Sequence, residues 1–166
     1  MQDYNWSSFT KRIPIKAGKE AIYNAWTTQA GLESWFLREA HFTTQDGVAR
    51  NPSEQVNAGD KYKWLWHGYD DSAVEQNEIL EVNGTDLSKF SFSGNCIVTV
   101  RIKEEAGETI CELTQQMPMD DEQEQRYFYI ECGKGWSLYL LNLKSILEGG
   151  LDLRNKNINL QNVVNA

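Results

Sequence analysis

Histidine is almost missing from this sequence. His41 and His67 are the only two, and neither stands in an HxxxH or CxxC pattern, so no converging ligand set and no metal site is expected. There is no GxSxG motif, and Gly133-Lys134-Gly135 lacks the strand–loop–helix setting of a phosphate cradle, so no cofactor and no catalytic residue is assigned. Positive charge is short as well. Sixteen Lys and Arg face 24 Asp and Glu, the formal charge is −8, and no basic cluster reverses the balance locally, which argues against nucleic acid as a partner. No apolar run approaches about 18 residues and MQDYNWSSFTKR has no apolar h-region, so neither a membrane span nor secretion is expected. Cys96, Cys111 and Cys132 are odd in number and far apart, and read as small buried hydrophobes in a reducing cytoplasm.

What is present is apolar and aromatic. Hydrophobic residues at 40% and aromatics at 11% exclude wholesale disorder, and 166 residues are enough for one domain with a sizeable core. The organising stretch is Gln125–Gly150. Cys132, Trp136, Leu140, Leu143 and Leu147 recur at three- and four-residue steps, and Tyr129 and Tyr139 widen the stripe, which predicts a long amphipathic helix. Asp120, Asp121, Glu122 and Glu124 suit the positive end of its dipole, with Asp121 as the cap. Gly149 and Gly150 supply the stop after Lys144. Such a helix cannot bury its stripe alone. Gly133 and Gly135 are expected to let it approach its partner closely, or to kink it.

The preceding residues supply that partner. Phe9, Ile13 and Ile15 lie in a β-like segment whose Pro14 suggests an edge or a strand end. KEAIYNAWTT reads as a short helix, and Thr28 can cap a second, QAGLESWF. Strands are expected at 38–46, at KYKWLWH, at Asn77–Val82, at SKFSFSG, at CIVTVRIKEE and at ETICELTQQM, with loop composition between Val48 and Asp60. In KYKWLWH, Tyr62, Trp64 and Trp66 face one way, while Lys61, Lys63 and a solvent-exposed His67 face the other. The order β-α-α-β-β-β-β-β-β-α with tight turns implies an α+β fold, an antiparallel meander with one face covered by the long helix. The domain spans 1–150, followed by a tail, 151–166.

Three stretches carry a resemblance. They are AIYNAWTTQAGLESWF with Trp26, Thr28, Gly31, Leu32 and Trp35; AGDKYKWLW followed by EQNEILEVNGTDLSKFSFSG; and GWSLYLLNLKSILEGG. Their order over residues 7–150 resembles the activator of heat-shock protein 90 ATPase-like family, within the polyketide cyclase, START and birch-pollen-allergen superfamily. The resemblance implies the helix-grip (START-like) fold: a curved antiparallel sheet wrapped around the C-terminal helix, often with a cavity between them. The family's eukaryotic co-chaperones carry a separate N-terminal domain for contacts to the chaperone, and no such domain is expected here.

The site candidates follow from that geometry. Trp35, Phe36, Phe42, Tyr62, Trp64, Trp66, Phe90, Phe92, Trp136 and Leu140 are candidates for the space between sheet and helix, either as core or as the walls of an apolar pocket. Gln115, on the inner face of its strand, is a candidate polar anchor. Glu78 and Arg101 are weaker candidates for an acid–base or orienting role. Cys132 lies on the buried stripe, where burial raises a thiol's pKa, so it reads as packing rather than as a nucleophile. The expected function is binding of a small apolar or amphipathic molecule. The alternative is a protein-interaction module acting on a chaperone or another protein, as a monomer or homodimer. No enzyme activity is assigned. The tail weakens helix through Asn155, Asn157, Asn159, Asn162 and Asn165 but carries Leu151, Leu153, Ile158, Leu160, Val163 and Val164, so it is expected to fold back as a strap or to dock on a neighbouring subunit.

Overall fold

The computed structural model describes residues 4–164; Asn165 of the tail lies outside them. Alternating apolar residues make seven strands: β1 (Ser8–Pro14), β2 (Glu39–Thr43), β3 (Lys61–Leu65), β4 (Val74–Val82), β5 (Leu87–Phe92), β6 (Cys96–Glu105) and β7 (Glu108–Gln116). They form one antiparallel sheet in the order β1-β7-β6-β5-β4-β3-β2, which leaves β1 and β2 at the edges. Pro14 therefore sits at the end of an edge strand, where a missing N–H costs no ladder bond. Two short helices, α1 (Lys19–Thr27) and α2 (Gln29–Trp35), follow β1, and the long helix α3 (Glu122–Leu147) closes the chain's main body. This is the curved helix-grip sheet and C-terminal helix that the residue pattern implied.

The caps stand where the residue chemistry puts them. Thr28 Oγ1 accepts the Gly31 N–H at 2.9 Å and so starts α2, and Asp121 accepts the Gln123 N–H at 2.9 Å at the head of α3. Gly149, at φ +80°, ends α3 in the left-handed conformation that glycine adopts without penalty. The inner face of the sheet is mostly apolar: Val98, Val100 and Ile102 on β6 and Cys111 and Leu113 on β7 are buried, with Gln115 a buried polar exception. The loop between β2 and β3 is pinned by a buried ion pair, Arg50 to Asp60, whose carboxylate also accepts the Asn57 N–H at 2.8 Å.

Four expectations are corrected. β2 is shorter than 38–46, because the chain turns at Gly47 (φ +79°) and Thr44 already bonds Val48 across that turn. β4 starts at Val74, ahead of Asn77; its half-buried polar residues Glu75 and Asn77 hide the alternation. β3 ends at Leu65, where the main chain turns to accept the Arg38 N–H, so His67 leaves the Lys61/Lys63 face and is half-buried beside the tail. The glycines of α3 do not serve close approach to the sheet. A Cβ at Gly133 would meet only the Lys11 side chain, at 3.9 Å, and one at Gly135 would meet nothing within 4 Å.

Candidate functional site

The middle of α3 rests on rings. Trp136 lies 5.1 Å from Phe36, 5.4 Å from Phe92 and 5.9 Å from Trp26 between ring centroids, tilted against each and within the range at which aromatic pairs interact. Tyr62 and Trp64 stack at 3.8 Å, and Trp64 meets Phe36, Phe42 and Phe90 edge-on. Trp35 is fully buried between Trp26 and Phe36, with its indole N–H given to the Ala25 carbonyl at 2.9 Å. The Tyr62 hydroxyl is buried and donates to the Ser91 carbonyl at 2.6 Å. Burial first, then the charge of Glu75, raises its pKa far above the usual phenol range. These side chains fill the interior with each other.

Gln115 is fully buried, but its carbonyl oxygen is taken by the Trp136 indole N–H at 2.7 Å and its amide faces Met117 Sδ at 3.8 Å. It fixes the Trp136 ring from behind. An unpaired polar atom at that depth would cost about 1–3 kcal/mol, so this bond sets which way the indole faces.

Space opens nearer the start of α3. There a cleft of about 270 Å³, open to solvent, lies between α3 and the end of β5. Its floor is Phe36, Phe92 and Trp136; Trp66 and Tyr139 close one side. On α3, Tyr127, Phe128, Glu131, Cys132 and Gly135 form the other wall, and Ser93 stands opposite. Gly135 keeps this wall low, because the position its Cβ would occupy is empty. Burial holds the Tyr139 hydroxyl and the Cys132 thiol above their ordinary pKa values, and pushes Cys96 behind them up to about 12. A protonated thiol in an apolar wall is a packing group, not a nucleophile. The cleft can hold an apolar body; it presents no acid–base pair for chemistry.

The candidate residues thus divide. Phe36, Trp66, Phe92 and Trp136 line the cleft, whereas Trp35, Phe42, Tyr62, Trp64, Phe90 and Gln115 are core and Leu140 borders a shallow groove beside β1. Glu78 ion-pairs with Lys61 and Arg101 is exposed on β6, both away from the cleft. His41 is exposed on β2 beside Glu39. Tyr127 and Phe128 were not foreseen. They lie off the buried stripe of α3: Phe128 packs at the margin of the core beside Gly94 and Tyr127 is exposed, and two adjacent rings off the stripe are the signal that could have found them.

The start of the tail is anchored by a residue the sequence did not flag. Arg154 is buried, donates to the carbonyls of Glu33, Ser34 and Leu37 at 3.0, 3.1 and 2.8 Å, and pairs with Asp152 through Nε and Nη2 at 2.9 and 2.8 Å. It thereby satisfies carbonyls left over at the end of α2. Asn142, buried on α3, ties the same region by donating to the Trp35 carbonyl at 2.6 Å and accepting the Leu153 N–H at 2.8 Å. His67 is pushed below its ordinary pKa by burial and then by Arg154 and Lys156. Beyond Arg154 the apolar side chains Ile158, Leu160 and Val164 are exposed. Among the described residues no group of three or more His, Cys, Asp or Glu is placed to hold a metal, and no helix is long and apolar enough to cross a membrane.

A family profile described as "Activator of Hsp90 ATPase homolog 1-like protein" matches residues 16–148. No curated protein matches the chain. Among solved structures, a protein from Staphylococcus saprophyticus shares 18% identity with a TM-score of 0.68, over 89% of this chain and 96% of that one. The Aha1 dimer from Colwellia psychrerythraea shares 19% identity with a TM-score of 0.63, over 86% and 97%. A protein of the dynemicin biosynthetic locus shares 18% identity with a TM-score of 0.61, over 86% of this chain but 47% of its own length. At these identities the likeness is one of fold.

Proposed function

We propose, for a chain that belongs to the Activator of Hsp90 ATPase homolog 1-like protein family, that it binds a small apolar or amphipathic molecule in the open cleft between the first half of α3 and β5. The observation that carries this reading is the cleft itself. It is walled mainly by aromatic side chains, between α3 and the end of β5. Its volume of about 270 Å³ sits just under the roughly 300–1,000 Å³ of sites for drug-sized molecules, so the ligand is small. Burial against Phe36, Phe92 and Trp136 supplies affinity at about 25 cal/mol per Å² of apolar surface covered, and Ser93 and Glu131 fix orientation. Two tryptophans line the cleft, so a titration with 1-octanol should change tryptophan fluorescence saturably with one site per chain. A change that never saturates would refute the reading.

A second reading is favoured by a different observation. Leu151 (80% exposed) and Val164 (82% exposed), with Ile158 and Leu160 between them, present apolar surface away from the cleft. A protein partner or a second copy docking there would cover it, and one structural relative is itself described as a dimer. Light scattering over a concentration series, with and without residues 156–166, tests this: a dimer that dissociates on truncation supports docking of a second copy, and a monomer throughout counts against it. The three free cysteines fit a reducing compartment such as the cytoplasm.

A further inference from the structure

The walls of the cleft carry charge of one sign. Glu131 stands on α3 one turn after Tyr127 and Phe128 and one turn before Gly135, which places its carboxylate on the same helix face as those rings. Across the cleft, the Ser93 hydroxyl donates to Glu75 Oε2 at 2.7 Å, so a second carboxylate lies directly behind the lining. The charge of Glu75 reaches inward, adding to the raised pKa of both Cys132 and Cys96. Among the described residues no lysine or arginine lines the cleft. Lys134 does donate to Glu131 Oε1 at 2.8 Å, but the two side chains are 68% and 50% exposed, and such a pair is weak and yields readily to a competing cation.

Ring faces are the negative side of an aromatic quadrupole. Seven aromatic side chains in the lining, with the carboxylate of Glu131 beside them and that of Glu75 behind Ser93, attract a positive group and repel a carboxylate or phosphate. The chain's net charge of −8 adds to that repulsion. The lining also decides what kind of cation fits. A bare ammonium brings three N–H donors, and the lining is chiefly carbon, its side-chain oxygens being those of Glu131, Ser93, Tyr127 and Tyr139, so a donor turned toward a ring would be buried unpaired at a cost. A quaternary ammonium, with its nitrogen fully alkylated, has none to satisfy and covers the rings with methyl groups.

We propose that the ligand of this cleft is a small organic cation, a quaternary ammonium on a short apolar body, held by the rings around Trp136 and by the carboxylate of Glu131. This rests on the ligand-binding reading above. The test compares choline with 3,3-dimethylbutan-1-ol, in which carbon replaces nitrogen at the same shape. Both are titrated into the isotopically labelled full chain while the amide signals of Ser93, Cys132 and Gly135 are followed. Choline should bind at least about threefold more tightly than the alcohol, the scale of one ring–cation contact at a partly exposed site. Glu131→Gln, at fixed ionic strength, should narrow that ratio. Glu131 is exposed on its helix, and unchanged melting of the variant verifies its fold.

The alcohol binding as tightly as choline, or octanol binding where choline does not, overturns the cation inference and leaves the ligand-binding reading in place. A choline preference undiminished in Glu131→Gln traces to net charge and overturns the inference as stated. If octanol, choline and the alcohol all fail to bind, both readings fall.

Discussion

Gly135 separates stability from binding. It lies inside α3, where glycine costs about 0.8–1 kcal/mol relative to alanine because the unfolded chain loses more freedom on ordering. Nothing stands within 4 Å of the position its Cβ would take, and that position faces the cleft. Gly135→Ala should therefore stabilise the protein by about 1 kcal/mol, raising Tm by about 2–4 °C in a domain of this size. Gly135→Leu should be at least as stable as the parent, since leucine is nearly as good a helix former as alanine and its branched end enters open space. That same end occupies the cleft, so octanol affinity by tryptophan fluorescence should fall about tenfold or more, a loss near 1.4 kcal/mol. The leucine variant is a folded, thermally competent protein with its cleft closed, which a core truncation never is. Parental octanol binding in Gly135→Leu would show that the ligand sits elsewhere, and a lowered Tm in Gly135→Ala would show that the space is not open.

Three further outcomes follow from the packing. Trp136→Ala removes a buried ring and leaves Gln115 Oε1 without its donor; a loss of about 3–5 kcal/mol by chemical denaturation is expected from a total of about 5–15, and a variant melting within a degree or two of the parent would remove α3 from the core. Arg154→Met strips the carbonyls of Glu33, Ser34 and Leu37 and leaves Asp152 without its main partner, so a loss of roughly 2–3 kcal/mol is expected in the same assay, with octanol affinity unchanged. Asp152 is pushed up by its own burial, but hydrogen bonds from Arg154 and Lys156 outweigh this and hold its pKa well below the ordinary 3.8. A depressed folded pKa means stability that is present above the unfolded value and lost as pH falls through the folded one, so Tm should decline below about pH 4, and Asp152→Asn should flatten that limb.

The fold was legible because its signals are local. Phe90 and Phe92 alternate with serines, Val98, Val100 and Ile102 share a face, and Asp121 and Gly149 bracket a helix whose stripe repeats every three to four residues. β4 was read short at its start, because Glu75 and Asn77 are polar yet half-buried, bonding Ser93 and Ser91 across the sheet. The candidate site was legible only as a pool of rings. Trp64 on β3 and Phe92 on β5 are both buried on the inner side of the sheet, and alternation cannot say that one stacks on Tyr62 while the other reaches a gap. What decides it is where α3 and the sheet leave space between them, a long-range property that the buried stripe does not encode. The anchor of the tail was invisible for the same reason: Arg154 bonds main-chain carbonyls 117 to 121 residues away, and carbonyls carry no sequence signature.

The most direct measurement of the central claim is a crystal structure of the protein soaked in 1-octanol. The account predicts one alkyl chain lying between Phe92 and Trp136 and touching Cys132 and Gly135, with the rings of the interior unmoved. An empty cleft at saturating octanol, or octanol found only in the groove between residues 68–73 and the tail, would contradict it.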